Sequence, residues 1–197
     1  NARAAILFEQ EYSEEDLDDI YLGWDDILGN YGSSMEETWG GLDEASLERI
    51  KKIRHALPEA VNSIISDRKR EYPEIHKMGT DMAVPNEYLE DMVEFYKKRC
   101  QEEELEYVIF GHIGDNHLHV NILPKTSDDM SKGKELYEEF ARKAISFGGT
   151  VAAEHGIGKV KKDLLKLMYG AKGIREMLDV KRSLDEKFLL NRGNILL

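Results

Sequence analysis

Histidine is spread unevenly along this chain. Three of its six histidines, His112, His117 and His119, fall within residues 111–121, which read GHIGDNHLHVN. A fourth, His155, follows Glu154 in the stretch AEHGIG at 153–158. Imidazole nitrogen and carboxylate oxygen are the donors of catalytic divalent-metal sites, and two histidines with one carboxylate leave positions open for a substrate. If 107–111 and 119–123 are neighbouring strands, the loop between them folds back and His112 converges with His119. His117 and His119 are two apart, so on an extended strand they face the same way. Spacing alone allows any two of the three, with Glu154 supplying the oxygen. The plainer alternative is a set of hydrogen-bonded loop histidines. His155 cannot readily point where Glu154 points on extended backbone, so one can ligate while the other faces a substrate as general base.

Other chemistries lack their motifs. Gly111, Gly114, Gly156 and Gly158 permit close backbone approach but form neither G-x-G-x-x-G nor a P-loop. There is no G-x-S-x-G. The single cysteine, Cys100, excludes an internal disulfide; it follows a Lys/Arg run, which could activate it, although an incidental thiol is the simpler expectation. A net charge of −12 argues against nucleic acid, so an anionic substrate would need a local arginine or metal. No apolar run suits a membrane span and no signal peptide is visible. The reading is cytoplasmic, with peripheral membrane attachment through other regions left open.

The elements that must position these groups are legible in part. Residues 5–10 have a core-strand pattern, and a strand starting so early suggests a chain cut from something longer. An acidic helix follows, with Leu17, Ile20, Tyr21, Trp24, Ile27 and Leu28 at helical spacing. Residues 31–41, with Trp39, read as a mobile loop or lid. Asp43 caps a helix to about Ala56, and Pro58 kinks it or starts another towards Asp67. Arg54 lies among Ile50, Ile53 and Leu57, at the edge of an apolar face. Strands are expected over 77–84, 106–110, 119–123 and 150–153. Helices are expected from Asn86, over 126–147, and in short pieces from Lys161 and Gly173, before a terminal loop at 191–194. The order suggests an α+β, ferredoxin-like fold, a mainly antiparallel sheet with helices on one face.

These motifs carry a resemblance. The run from His112 to Asn121 resembles H-x-G-D-G-N-L-H-x-N. Residues 148–158 resemble G-G-T-…-E-H-G-I-G, residues 81–85 resemble D-V-A-V-P, and 191–196 resemble N-P-G-K-I-L. The chain therefore resembles the C-terminal substrate domain of FAD-linked 2-hydroxyacid dehydrogenases and oxidases. That family includes D-lactate dehydrogenases, glycolate oxidase flavin subunits and D-2-hydroxyglutarate dehydrogenases. The resemblance covers most of residues 1–197. It implies oxidation of a small D-2-hydroxy acid, lactate- or glycolate-like, with hydride transfer to FAD. It implies His112, His119 and Glu154 as ligands of a divalent metal, zinc or similar, and His155 as the base. Asn121 would orient the substrate, Arg54 would pair with its carboxylate, and Asn191 would approach the flavin. The chain departs from the pattern at Asn116-His117, where the family has Gly-Asn, and at Arg192, where it has proline. The family's N-terminal FAD-binding domain is not in this chain and becomes the expected partner, without which no turnover is expected; a homo-dimer is also open. Two other readings stand beside this one: a metal-dependent hydrolase working without flavin, and a non-catalytic assembly or ligand-binding domain.

Overall fold

A computed structural model describes residues 4–195. The chain divides into two compact units, one up to Ala60 and one from Val61 onward.

In the first unit, helix α1 spans Leu17–Asn30. Asp18 and Asp19 in its first turn favour the positive end of the helix dipole. The Gly32 N–H closes the other end on the Gly29 carbonyl, with Gly32 at φ +74°. The strand expected at 5–10 does not form. Ile6 is 70% exposed, and the segment is held by a ring instead of a strand edge. Phe8 stacks on Trp24 at 3.9 Å, and the Trp24 indole N–H donates to Gln10 Oε1 at 2.8 Å. An apolar run becomes a strand only where another strand offers its backbone groups, and among the described residues the strands all lie in the second unit. Within 31–41 there is a short 3-10 turn, Met35–Glu37, tied by the Met35 N–H to Asp25 Oδ1 and the Thr38 hydroxyl to the Met35 carbonyl. Trp39 is exposed.

Helix α2 spans Glu44–Arg68 without a break, although Pro58 lies inside it. Asp43 caps it, Oδ1 accepting the Ser46 N–H at 2.9 Å. Proline removes one helical bond and typically costs about 3 kcal/mol. The helix continues because Val61 and Ile65, beyond the proline, are buried in the core of the second unit.

That core is built on a three-stranded antiparallel sheet. Its strands are β1 (Met78–Gly79), β2 (Tyr107–His112) and β3 (His117–Ile122), in the order β1-β3-β2. Helices α3 (Leu89–Glu102) and α4 (Ser127–Ser146) supply Met92, Tyr96 and Cys100, and Leu136, Phe140 and Ala144, at helical spacing. Tyr96 and Phe140 meet edge to face at 4.8 Å. Thr126 caps α4 by accepting the Asp129 N–H. A Cβ added at Gly133 of α4 would lie 2.0 Å from the Met78 side chain, so glycine here sets how closely α4 approaches β1.

The register gives β3 two faces. Val120 and Ile122 point into the helix-packed core, whereas His117, His119 and Asn121 alternate to the other side. The chain from Thr80 to Ala83 runs on beside β3, and Ala83 bridges both His117 and Thr150. The strand expected over 150–153 is reduced to that bridge plus the Ala153 N–H bond to the Asp81 carbonyl. The fold is thus α+β, with three strands and two bridges among the described residues rather than the four full strands of a ferredoxin-like unit.

Helix α5 spans Lys162–Leu184 but turns at Gly170, whose φ of 64° and ψ of −178° are not helical. Two shorter helices were expected here, and the break falls at Gly170 rather than before Gly173. Asp185 then gathers the chain: its carboxylate takes Lys181 Nζ at 2.5 Å and the N–H groups of Leu189 and Leu190. Among the described residues, no helix is long and apolar enough to cross a membrane.

Candidate active site

Glu154 stands among four imidazoles. His119 Nε2 is 3.5 Å from its Oε2, His117 Nδ1 is 3.6 Å away and His155 Nε2 is 3.7 Å away. His112 Nε2 is 3.7 Å from Oε1. Both histidine-bearing segments therefore meet, although 32 residues or more separate them in sequence.

The β2–β3 hairpin supplies three of the four. His112 and His117 are register partners at its closed end, and His119 is one pleat further along. The rings of His117 and His119 are 4.3 Å apart. The turn needs two special residues. A Cβ on Gly111 would sit 2.3 Å from the His117 carbonyl oxygen, so only glycine lets the strands close here. Asn116 takes φ +52°, the left-handed region that asparagine tolerates. Asparagine in place of glycine at this position is thus compatible with the turn, and its side-chain N–H donates to Asn86 Oδ1.

The other segment is anchored by a residue that sequence reasoning passed over. Asp81 has only 3% of its side chain exposed. Its Oδ1 accepts the Glu154 N–H at 3.1 Å, and Oδ2 accepts the His155 N–H at 3.0 Å and Lys161 Nζ at 2.5 Å. One buried carboxylate therefore fixes the backbone of both Glu154 and His155. Burial alone would raise its pKa, but the Lys161 ammonium and the two N–H donors outweigh burial and hold it below the usual carboxylate range. The available signal was Asp81 itself, an acid inside the expected strand 77–84; the 150–155 segment covers it.

The hydrogen bonds also assign protons. His119 Nδ1–H donates to the Thr80 carbonyl, which leaves its Nε2 lone pair facing Glu154. Burial pushes the His117 pKa down, helped by neighbouring His119 and opposed by Asp81 and Glu154, so this imidazole is neutral near pH 7.

Separation of the donors tests their fit to a metal. Ligand atoms about 2.1 Å from a tetrahedral ion lie about 3.4 Å apart. The distances of 3.5–3.7 Å from His117, His119 and His155 to Glu154 Oε2 match this closely. His117, His119 and Glu154 form one compact candidate group, whereas His112 lies against the other oxygen, Oε1, and belongs to no such group among the described residues. Asp81, His119 and His155 form a second candidate group. Asp81 is the poorer donor, because both its oxygens already accept hydrogen bonds.

The remaining expected residues are placed as follows. Asn121 is buried on the same side of β3 as His119, with its Oδ1 against Gly79. Asn191 is exposed at φ 46° in the terminal loop, and the Ile195 N–H of that loop donates to the Gly158 carbonyl at 2.8 Å. The loop is thereby joined to the Glu154–His155 segment; Leu196, the last residue of its motif, lies outside the described residues. Arg54 is exposed on α2 in the first unit. Cys100 is fully buried, and burial pushes its thiol up to about 12, so it is no nucleophile.

Comparison with known proteins agrees with the motifs. The family described as FAD linked oxidases, C-terminal domain, matches residues 4–195. The glycolate oxidase subunit GlcD of Bacillus subtilis (strain 168) is 27% identical over 201 residues, covering 99% of this chain and 40% of that protein. D-lactate dehydrogenase of Anaerostipes hadrus is 32% identical over 197 residues, 93% of this chain and 37% of that protein. D-2-hydroxyglutarate dehydrogenase of Xanthomonas citri pv. viticola is 36% identical over 177 residues, 85% of this chain and 36% of that protein. The chain thus spans 40% or less of the length of these relatives.

Proposed function

Because the chain belongs to the family of FAD-linked oxidase C-terminal domains, we propose that it forms the substrate and metal half of a flavin-dependent oxidoreductase. Its substrate would be a small D-2-hydroxy acid, lactate- or glycolate-like, converted to the 2-oxo acid. The observation that carries this reading is the convergence of imidazole nitrogens on Glu154 at 3.5–3.7 Å. His112, His119 and Glu154 would hold a divalent ion, zinc or similar. Bound there, such an ion supplies a Lewis acid that lowers the pKa of the α-hydroxyl, while FAD, held mainly by a preceding domain, supplies the hydride acceptor.

The chain's own residues do the rest. His155 Nε2 accepts the hydroxyl proton; its ring is more than half exposed, and its backbone is fixed by Asp81. The tautomer of His119 is set by Thr80, so no proton has to move before Nε2 can act as a donor atom. By the family resemblance, Asn121 would orient the substrate, Arg54 would pair with its carboxylate as a bidentate fork, and Asn191 would approach the flavin.

The test uses the full-length protein with FAD, stripped by chelator and reloaded with single metals, against a panel of D- and L-2-hydroxy acids. The expected result is oxidation of a D-acid that chelation abolishes and metal restores. H155N should lower kcat by about 10²–10⁴ while metal content is kept. Turnover unchanged by chelation and by H155N would overturn the proposal.

A further inference from the structure

We infer that His117 is a further metal ligand: its Nδ1 joins His112, His119 and Glu154 on the ion, with Asp81 holding the Nε2–H behind it. This rests on the metal reading above and deepens it, since that reading uses only two imidazoles.

The distances do not separate His117 from the others. Its Nδ1 is 3.6 Å from Glu154 Oε2, beside the 3.5 Å of His119 to the same oxygen, while His112 is 3.7 Å from Oε1. His117, His119 and Glu154 also form a compact group by themselves, their donor atoms within 4.8 Å of one another. Both histidines project from the same side of β3.

The proton on His117 then narrows the choice. Nε2 is buried, 3.1 Å from Asp81 Oδ1, yet has no aligned hydrogen-bond partner. Placing the proton on Nδ1, towards Glu154, would leave a buried Nε2 lone pair against the Asp81 carboxylate. Placing it on Nε2 sets the proton against the Asp81 carboxylate 3.1 Å away and turns the Nδ1 lone pair towards Glu154. Two electron-rich atoms, Nδ1 and a carboxylate oxygen, then face each other at 3.6 Å in a site where His117 is only 5% exposed. Such a pair calls for a cation between them. Carboxylate–imidazole–metal is the usual arrangement of such histidines, the outer carboxylate fixing tautomer and orientation. Three imidazoles and one carboxylate also define the metal class, a late divalent ion such as zinc or cobalt rather than magnesium or calcium.

Zinc-edge X-ray absorption of the zinc-loaded full-length protein tests this by counting imidazoles, independently of turnover. The wild type should show three, H155N three and H117N two. In chelator competition, H117N should bind zinc more than 10²-fold more weakly. D81N should keep three imidazoles and lose about 10–100-fold in affinity. Two imidazoles in the wild type, or an unchanged count and affinity in H117N, would overturn the inference and leave the two-histidine site intact. No zinc bound by the wild type would overturn both. Should H117N fail to fold, the wild-type and H155N counts decide alone.

Discussion

Replacing Asp81 by asparagine removes one negative charge and no volume. Three donors converge on this side chain: the N–H groups of Glu154 and His155, and Lys161 Nζ. An amide offers one acceptor oxygen, so at least one of the three is left unpaired, and the Lys161 charge loses its counter-ion. Removing one member of a buried ion pair costs about 3–5 kcal/mol. Lys161 keeps 13% of its side chain exposed, which lets water reach it and favours the lower end, about 3 kcal/mol. With a urea slope of about 2 kcal/mol/M, the midpoint should fall by about 1.5 M. Far-UV circular dichroism is the suitable probe, because both tryptophans, Trp24 and Trp39, lie in the first unit. Adding K161M removes the stranded cation. The double variant should therefore recover about 1–3 kcal/mol relative to the sum of the single changes. A D81N midpoint within about 0.2 M of the wild type, or strict additivity with K161M, would refute the account of Asp81 as the anchor of the 154–155 segment.

Three further outcomes follow from the same contacts. The Asp185 carboxyl is held at about 2 by Lys181 and the Leu189 and Leu190 N–H groups. Its folded pKa lies below the unfolded value of about 3.9, so its contribution is complete above that value and is lost as pH falls towards 2. D185N should be less stable than the wild type at pH 7 and match it near pH 2; a gap independent of pH would contradict this. G111A must push its new methyl away from the His117 carbonyl, and should cost at least about 1–3 kcal/mol and weaken metal binding, read by thermal unfolding and chelator competition. Cys100, buried with its thiol pushed up to about 12, should resist a disulfide reagent at pH 8 until urea unfolds the second unit; fast labelling of the native protein would show the core to be open.

The hairpin carrying His112, His117 and His119 was legible because its signals are local: two apolar runs, a glycine-containing turn and period-two spacing. Helices α3 and α4 were legible for the same reason, through their periodic apolar positions and the Thr126 cap. The early strand at 5–10 was misread because an apolar run does not reveal whether a partner edge exists. Pro58 was read as a kink or as the start of another helix because local propensity opposes it, whereas burial of Val61 and Ile65 keeps the helix continuous. Asp81 was missed because its partners are 73 to 80 residues away in sequence, and alternation cannot tell a solvent face from one covered by another segment. The doubt over His117 was of the same kind. Its place beside Glu154 depends on the register with His112 and on the Ala83 bridge, and neither is written in residues 111–121.

The central claim, that the Glu154 site activates a 2-hydroxy acid for oxidation by flavin, is tested most directly by a single anaerobic turnover. Full-length protein carrying FAD and zinc is mixed with D-lactate or glycolate, and the flavin absorbance is followed. Bleaching in the wild type, slowed at least about 10²-fold in H155N and absent in E154Q, is the result expected. Bleaching at the wild-type rate in both variants would contradict it.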